Sequence, residues 1–230
     1  MLTASIIEPI RHAIPGPLKR TVKDVMLDLS FRRAVRKLWH LPLGAVPDRQ
    51  LLNELIVGWG NEGYSAQVDY LEEVSHQAVK TPGPILECGS GLTSIVLGLL
   101  AGRRGIETWS LEHHPAWRTR VARALEQSGI PNVRVCLAPL ESHSRFDWYE
   151  APLDKMPGEF RLVICDGPPG NTTGGRYGLL RVMRRRLPSG SVILLDDATR
   201  PGETEVLERW RREAHLQVSG KGAFAVITLE

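Results

Sequence analysis

The stretch Ile85-Leu86-Glu87-Cys88-Gly89-Ser90-Gly91-Leu92-Thr93-Ser94 decides the fold: an apolar strand ends in an acid, breaks at a glycine turn and passes into an apolar helix. Glycine at 89 and 91 lets the backbone turn tightly and lets a ligand approach it closely, while the free N–H groups of the following helix face the same spot. A side chain at either position is expected to crowd that ligand. The pattern is that of a nucleotide-type cofactor loop, with one departure. Where the dinucleotide fingerprint Gly-x-Gly-x-x-Gly has its third glycine, this chain has Ser94.

Downstream, Thr108-Trp109-Ser110-Leu111 reads as the next strand and leads into Glu112, a carboxylate placed to accept both hydroxyls of a ribose. From Pro84 onward strand and helix patterns alternate. Strands are predicted at 85–88, 107–111, 132–136, 161–165, 191–195 and 223–229, and helices begin near Leu92, Pro115, Arg176 and Pro201. Pro115 suits a first helical position and Gly129 the residue just past a helix end. Such alternation implies an α/β, doubly wound parallel sheet with right-handed crossovers. His215-Leu216-Gln217-Val218, turning at Gly220-Lys221-Gly222 into Phe224-Ala225-Val226-Ile227, reads as a terminal antiparallel hairpin.

Residues 1–80 read as a helical N-terminal extension preceding a cofactor-binding domain at 81–230. Leu18, Val22, Val25, Met26 and Leu29 repeat at helical spacing, as do Val68, Leu71, Val74 and Ala78 after a cap at Ser65. Between them, Gly58-Trp59-Gly60-Asn61-Glu62-Gly63-Tyr64-Ser65 is a glycine-rich loop with two aromatics, suited either to covering a pocket or to packing on the core.

The 230 residues suffice for one α/β unit with an elaboration, and a domain of this size buries about 70% of its unfolded surface. With 42% hydrophobic and 24% charged residues the composition is that of an ordinary globular protein, and no apolar run reaches the ~18–20 residues that span a bilayer. No secretory signal is evident at the N-terminus. Cys88, Cys136 and Cys165 have neither metal-ligand nor Cys-x-x-Cys spacing, so reduced core thiols and a cytoplasmic location are expected. A net charge of +3 gives no reason to expect nucleic acid, and neither nucleic acid nor membrane is an expected partner. The oligomeric state, a homodimer included, is left open. Basic clusters at Arg32-Arg33 with Arg36-Lys37, at Arg103-Arg104, at Arg184-Arg185-Arg186 and at Arg211-Arg212 read as solvated helix faces.

The order Glu-x-Gly-x-Gly, then an acid ending the second strand, resembles class I S-adenosylmethionine-dependent methyltransferases, over roughly the last two thirds of the chain. The resemblance implies a Rossmann-like, seven-stranded sheet closed by an antiparallel hairpin. It implies a donor held by Glu87, Cys88, Gly89, Ser90, Gly91 and Ser94, a ribose on Glu112 beside His113, and an adenine bordered by Pro139 and Leu140, with Asp166 also at the cofactor.

Two later strands end in acids: Leu162-Val163-Ile164-Cys165 in Asp166-Gly167-Pro168-Pro169-Gly170, and Val192-Ile193-Leu194-Leu195 in Asp196-Asp197. Neighbouring strand ends bring such carboxylates together, and hard oxygen ligands suit Mg²⁺. The alternative is that Asp196 and Asp197 cap the next helix while Asp166 touches the cofactor. The acids also resemble those of the metal-dependent O-methyltransferases of catechol, caffeoyl-coenzyme A and macrocin type, which implies Asp166, Asp196 and Asp197 as ligands of Mg²⁺. Where the catechol type has a lysine three residues after the first acid, this chain has Pro169, so a base must come from elsewhere; His143 and His113 are the imidazoles available.

Asp166-Gly-Pro-Pro-Gly departs from the Asp-Pro-Pro-Tyr signature of base N-methylating enzymes, because a glycine separates acid from prolines and Gly170 replaces the stacking aromatic. With Arg176, Asp196-Asp197-Ala-Thr-Arg200 and Glu203, the run is similar to a broad group of bacterial class I methyltransferases of undefined substrate. Arg176 and Arg200 either bind an anionic part of the substrate or pair with the acids. The expected activity is O-methylation of a small molecule, sugar or natural product with Mg²⁺ assistance. The alternatives are small-molecule N-methylation, NAD-dependent oxidoreduction, or cofactor binding without catalysis.

Overall fold

The computed structural model describes residues 16–60 and 66–230, with side chains from Val22 onward. The expected cap at Ser65, and Asn61 to Tyr64 of the glycine-rich loop, lie outside them. The described chain begins with three helices, α1 (Gly16–Trp39), α2 (Arg49–Trp59) and α3 (Val68–Lys80). Asp48 starts α2 by accepting the Leu51 N–H at 2.8 Å, and Gly60, at φ 69°, ends it in the left-handed conformation that glycine adopts without strain.

Strand and helix then alternate: β1 (Ile85–Cys88), α4 (Leu92–Leu100), β2 (Thr108–Glu112), α5 (Pro115–Gln127) and β3 (Val133–Leu137). A small hairpin follows, β4 (Leu140–His143) with β5 (Phe146–Tyr149), then β6 (Leu162–Cys165), α6 (Gly178–Met183), β7 (Val192–Leu195), α7 (Pro201–Glu213), β8 (Leu216–Lys221) and β9 (Phe224–Leu229). The predicted strands lie within a residue of those observed. Arg176 falls in a 3₁₀ turn, Gly175–Tyr177, just ahead of α6. The β4–β5 hairpin was not anticipated, since its strands are four residues each and carry polar residues beside aromatic ones.

The main sheet has seven strands in the order β3-β2-β1-β6-β7-β9-β8, with β9 antiparallel to both neighbours. From β1 the chain winds outward through β2 to β3, then returns to place β6 on the other side of β1. The direction of winding therefore reverses between β1 and β6, where a crevice opens beyond the strands' carboxyl ends. β1 and β6 are buried along their whole length, as expected of central parallel strands covered on both faces.

Alternate residues of these strands feed two cores. Ile85, Leu162 and Ile164 pack with Phe31, Leu38, Leu52, Leu55, Leu71 and Ile95 on one face. Leu86, Cys88, Val163 and Cys165 pack with Trp148, Phe160 and Trp210 on the other. The helices before β1 thus share a core with the sheet. The side chains of α4, Leu92 through Leu100, are all buried, which explains why its sequence is apolar all round.

Not every basic cluster is solvated. Arg103 donates to the Leu41 carbonyl at 2.8 Å, Arg104 to that of Val79 at 2.8 Å near the end of α3, and Arg186 to those of Leu153 and Pro157. Long side chains at these positions satisfy carbonyls that the loops leave unpaired.

Gly98 shows how tightly α4 is seated: a Cβ there would lie 2.3 Å from Ile130 Cγ2 and 2.8 Å from Val133 Cγ2. Alanine gains about 1 kcal/mol in helix propensity, whereas overpacking of a filled core costs about 1–3 kcal/mol. At these distances the clash wins. Gly98→Ala is expected to destabilise the protein by about 1–2 kcal/mol in urea unfolding; a gain would mean that α4 has room to move.

Candidate active site

Beyond the carboxyl ends of β1, β2, β6 and β7 lies a cavity of about 1130 Å³. Its wall includes Gly89, Ser90 and Gly91 after β1, Glu112 at the end of β2 with His113 next to it, and the acids after β6 and β7.

The glycine loop is braced from below by Glu87. This fully buried carboxylate accepts the Thr93 hydroxyl at 2.5 Å and the Ser94 hydroxyl at 2.5 Å, and Ser94 Oγ in turn accepts the Gly91 N–H at 3.0 Å. Ser94 therefore does work that a glycine could not: it ties the strand-end acid to the loop and to the first turn of α4. Glu87 and Ser94 brace the loop and do not line the cavity, and Cys88 is a buried core thiol beside Cys165. Gly89 has φ 89°, and a Cβ there would meet the Gly167 N at 3.1 Å, so glycine is required by both backbone and packing. Gly91 is extended, and nothing within 4 Å would meet a Cβ there. The protein's own backbone and packing thus leave room for a side chain at 91.

Glu112 ends β2 with its carboxylate toward the loop. It accepts the Ser90 N–H at 3.2 Å, the Ser90 hydroxyl at 2.8 Å and the His114 N–H at 2.8 Å. His113 Nδ1 is 3.3 Å away. Trp117, in the first turn of α5, donates its indole N–H to the Ser90 carbonyl at 2.7 Å and so secures the loop from the outside. Arg120 lies over the Trp117 and Trp59 rings at 4.7 and 4.9 Å and donates to the Trp59 carbonyl at 2.6 Å.

On the other side of β1, Asp166, Asp196 and Asp197 bring carboxylate oxygens within 4.8 Å of one another. Arg176, only 2% exposed, reaches both acid-bearing loops: it donates to the Asp166 carbonyl at 2.7 Å and to the Asp196 carbonyl, and lies 3.3 Å from Asp166 Oδ1 and 3.4 Å from Asp197 Oδ2. Of the two roles open to Arg176 from sequence, the geometry selects pairing with the acids. Arg200 pairs with Asp197 at 2.9 Å. Neither aspartate caps α7, whose N-cap is Arg200 without a side-chain bond; Asp196 instead accepts the Asp197 N–H at 2.8 Å. Asp197 adopts φ 54°, a left-handed conformation uncommon outside glycine and found where a site constrains the backbone.

Three carboxylates, Asp166, Asp197 and Glu203, share two arginines, and the Asp196 carboxylate beside them pairs with neither. Burial pushes the Asp166 carboxyl up to about 7, with the Asp196 charge raising it further and Arg176 opposing. Burial also raises Asp196 and Glu203. A cluster short of positive charge, with oxygen donors only, fits a hard divalent cation such as Mg²⁺.

The remaining expected residues lie elsewhere. His143, read as a base, is on the β4–β5 hairpin, stacked on Phe146 at 4.8 Å, and does not border the cavity; nor do Pro139 and Leu140. The hairpin draws this segment into its own two-stranded pairing, Leu140 opposite Tyr149 and His143 opposite Phe146. In exchange it delivers Tyr149, whose buried hydroxyl faces Gly167 and borders the cavity. Tyr149, Trp117 and Arg120 were not singled out from sequence. Only the helix start at Pro115 marked the last two as near a strand end.

No family model and no curated protein matches the sequence. Solved structures do match. They include the SAH-bound methyltransferase PaMTH1 of Podospora anserina, at 14% identity over 86% of this chain and 88% of that one, with a TM-score of 0.55. The O-methyltransferase of Bacillus cereus in complex with SAH matches at 14% identity over 80% and 92%, with a TM-score of 0.55. A methyltransferase of Geobacter sulfurreducens matches at 16% identity over 83% and 93%, with a TM-score of 0.53. The chain has the fold of the class I methyltransferases, as the resemblance implied.

Burial pushes Glu87 from 4.5 up to about 7, partly offset by the serine and threonine hydroxyls. Its folded value exceeds its unfolded one, so its contribution to stability is complete at low pH and lost as pH rises through about 7. Glu87→Gln, which cannot ionise, is expected to gain in Tm relative to the native chain as pH rises from 5.5 to 8.5. A Tm difference independent of pH would show that Glu87 does not titrate in this range.

Proposed function

We propose that the protein is an S-adenosylmethionine-dependent methyltransferase acting on a hydroxyl of a small molecule, a sugar or a natural product, with Mg²⁺ held by Asp166, Asp196 and Asp197. The observation that carries this reading is the junction, in one cavity, of the braced glycine loop and Glu112 with the carboxylate cluster after β6 and β7. The reduced, buried Cys88 and Cys165 suit a cytoplasmic setting.

In this reading the backbone of Gly89 to Gly91 holds the methionine part of the donor, and Glu112 takes the ribose hydroxyls in exchange for its bonds to Ser90. S-adenosylmethionine supplies an electrophilic methyl group on a cationic sulfur. Mg²⁺ supplies a lowered pKa at the acceptor hydroxyl. Arg176 keeps the three aspartates at fixed spacing by bonding the carbonyls of both acid-bearing loops, so that the acceptor oxygen is presented to the methyl group in one orientation. His113 borders the cavity beside His114, and in this reading it holds the acceptor's proton. The described part of the N-terminal extension serves as a cover for the unit at 81–230, with Trp59, Ala66 and Gln67 bordering one side of the cavity. Exclusion of water there favours a transfer in which charge is dispersed.

Calorimetric titration with S-adenosylhomocysteine, with and without Mg²⁺, tests the reading. Micromolar binding strengthened by Mg²⁺ is expected. Glu112→Gln is expected to weaken it roughly 10- to 100-fold, since hydrogen bonds to a charged group are worth about 1.5–3 kcal/mol. Asp166→Asn should retain the nucleoside and lose the metal effect. Absence of binding, with NAD bound instead, would exclude the methyltransferase reading.

A further inference from the structure

Helix α1 is apolar on two faces. One face, with Phe31, Ala34, Val35 and Leu38, is buried against the rest of the protein. The other carries Val22, Val25, Met26 and Leu29 at successive turns, 41%, 54%, 66% and 61% exposed, and no described residue covers them. At 100° per residue these four lie within about one third of the helix circumference, directly opposite Phe31 and Leu38. Farther along the same exposed face come Arg33 and Arg36.

Charge says what fits this face. Between Val22 and Trp39 the helix has Lys23, Arg32, Arg33, Arg36 and Lys37 against Asp24 and Asp28. Arg32 pairs with Asp28 at 2.7 Å and Lys37 with Glu54 at 2.6 Å. Lys23, Arg33 and Arg36 have no carboxylate partner among the described residues. An apolar stripe continued by unpaired cations is the pattern of a helix lying in the boundary of an anionic bilayer, where aliphatic groups enter the acyl edge and arginines meet lipid phosphates. A second copy of this chain would instead set like charges against each other.

We propose that α1 docks the protein on an anionic lipid surface through Val22, Val25, Met26 and Leu29, with Arg33 and Arg36 on the headgroups. The sequence led to no expectation of a membrane partner, because no segment is long and apolar enough to cross one, and no described helix is either. A helix lying in the interface needs no such segment. Phe31, on the inner face of α1, packs against Trp59 at 5.3 Å, and Trp59 borders the cavity, so docking helix and cavity wall form one packed unit.

Sedimentation of the full chain with phosphatidylcholine vesicles, with and without phosphatidylglycerol, tests this. Binding only to the anionic vesicles, weakened by salt, is expected. Met26→Asp with Leu29→Asp, both at exposed positions, should abolish it without lowering Tm. Arg33→Gln with Arg36→Gln, which leaves the apolar stripe intact, should weaken it about 30-fold. The proposal is overturned if the native chain ignores anionic vesicles or if the aspartate variant binds them equally. It is overturned equally if sedimentation velocity finds a dimer that the aspartate variant dissolves.

Discussion

Everything at the crevice depends on one buried carboxylate. Glu87 closes β1 and at once accepts the hydroxyls of Thr93 and Ser94, at the beginning of α4. A carboxylate is costly to bury, and here two short hydroxyl contacts offset part of that cost. Because strand end and helix start are held by the same group, the intervening glycines have one path open to them. That path brings Gly89 against Gly167, and so joins the loop after β1 to the loop after β6.

A second constraint works across the same gap with the opposite charge. Arg176 stands in the 3₁₀ turn before α6, yet its guanidinium bonds backbone carbonyls at the ends of β6 and β7. It thereby holds in register two loops whose aspartates repel each other. Burial, with the charges of the neighbouring acids added, raises Asp166 and Asp196 even with Arg176 and Arg200 beside the cluster. The site is thus spaced by the protein but short of positive charge.

The helices ahead of the sheet connect both themes to the surface. Trp59 from α2, Trp117 from α5 and the Arg120 side chain between them hold the outer wall of the cavity together, and Phe31 of α1 packs on the same indole. The wall joins side chains of α2 and α5, elements far apart in sequence. The Trp117 N–H reaches inward to Ser90 while the outer face of α1 stays apolar.

The sequence by itself determined the order of the main sheet's strands and their helices, the glycine turn, the carboxylates at four strand ends and the closing hairpin. These signals are local: hydrophobic period, proline and glycine positions, and the fact that a parallel strand ends where its apolar run stops. Tertiary structure decided what each acid does. Glu87 and Glu112 both stand near the end of an apolar strand, yet one is sealed under the loop and the other borders the cavity, because only packing sets which way a strand-end side chain turns. The same holds for His143 and Tyr149. They lie six positions apart on one hairpin, and the pairing of β4 with β5 leaves the histidine on Phe146 while it carries the tyrosine to the cavity. Arg176 could be read as binding substrate or pairing with acids, and the choice rested on carbonyls from two other loops that no nearby residue announces. Helix α1 makes the same point from outside: its apolar spacing was legible, but which apolar residues face the core and which face outward follows from how the helix packs on its neighbours.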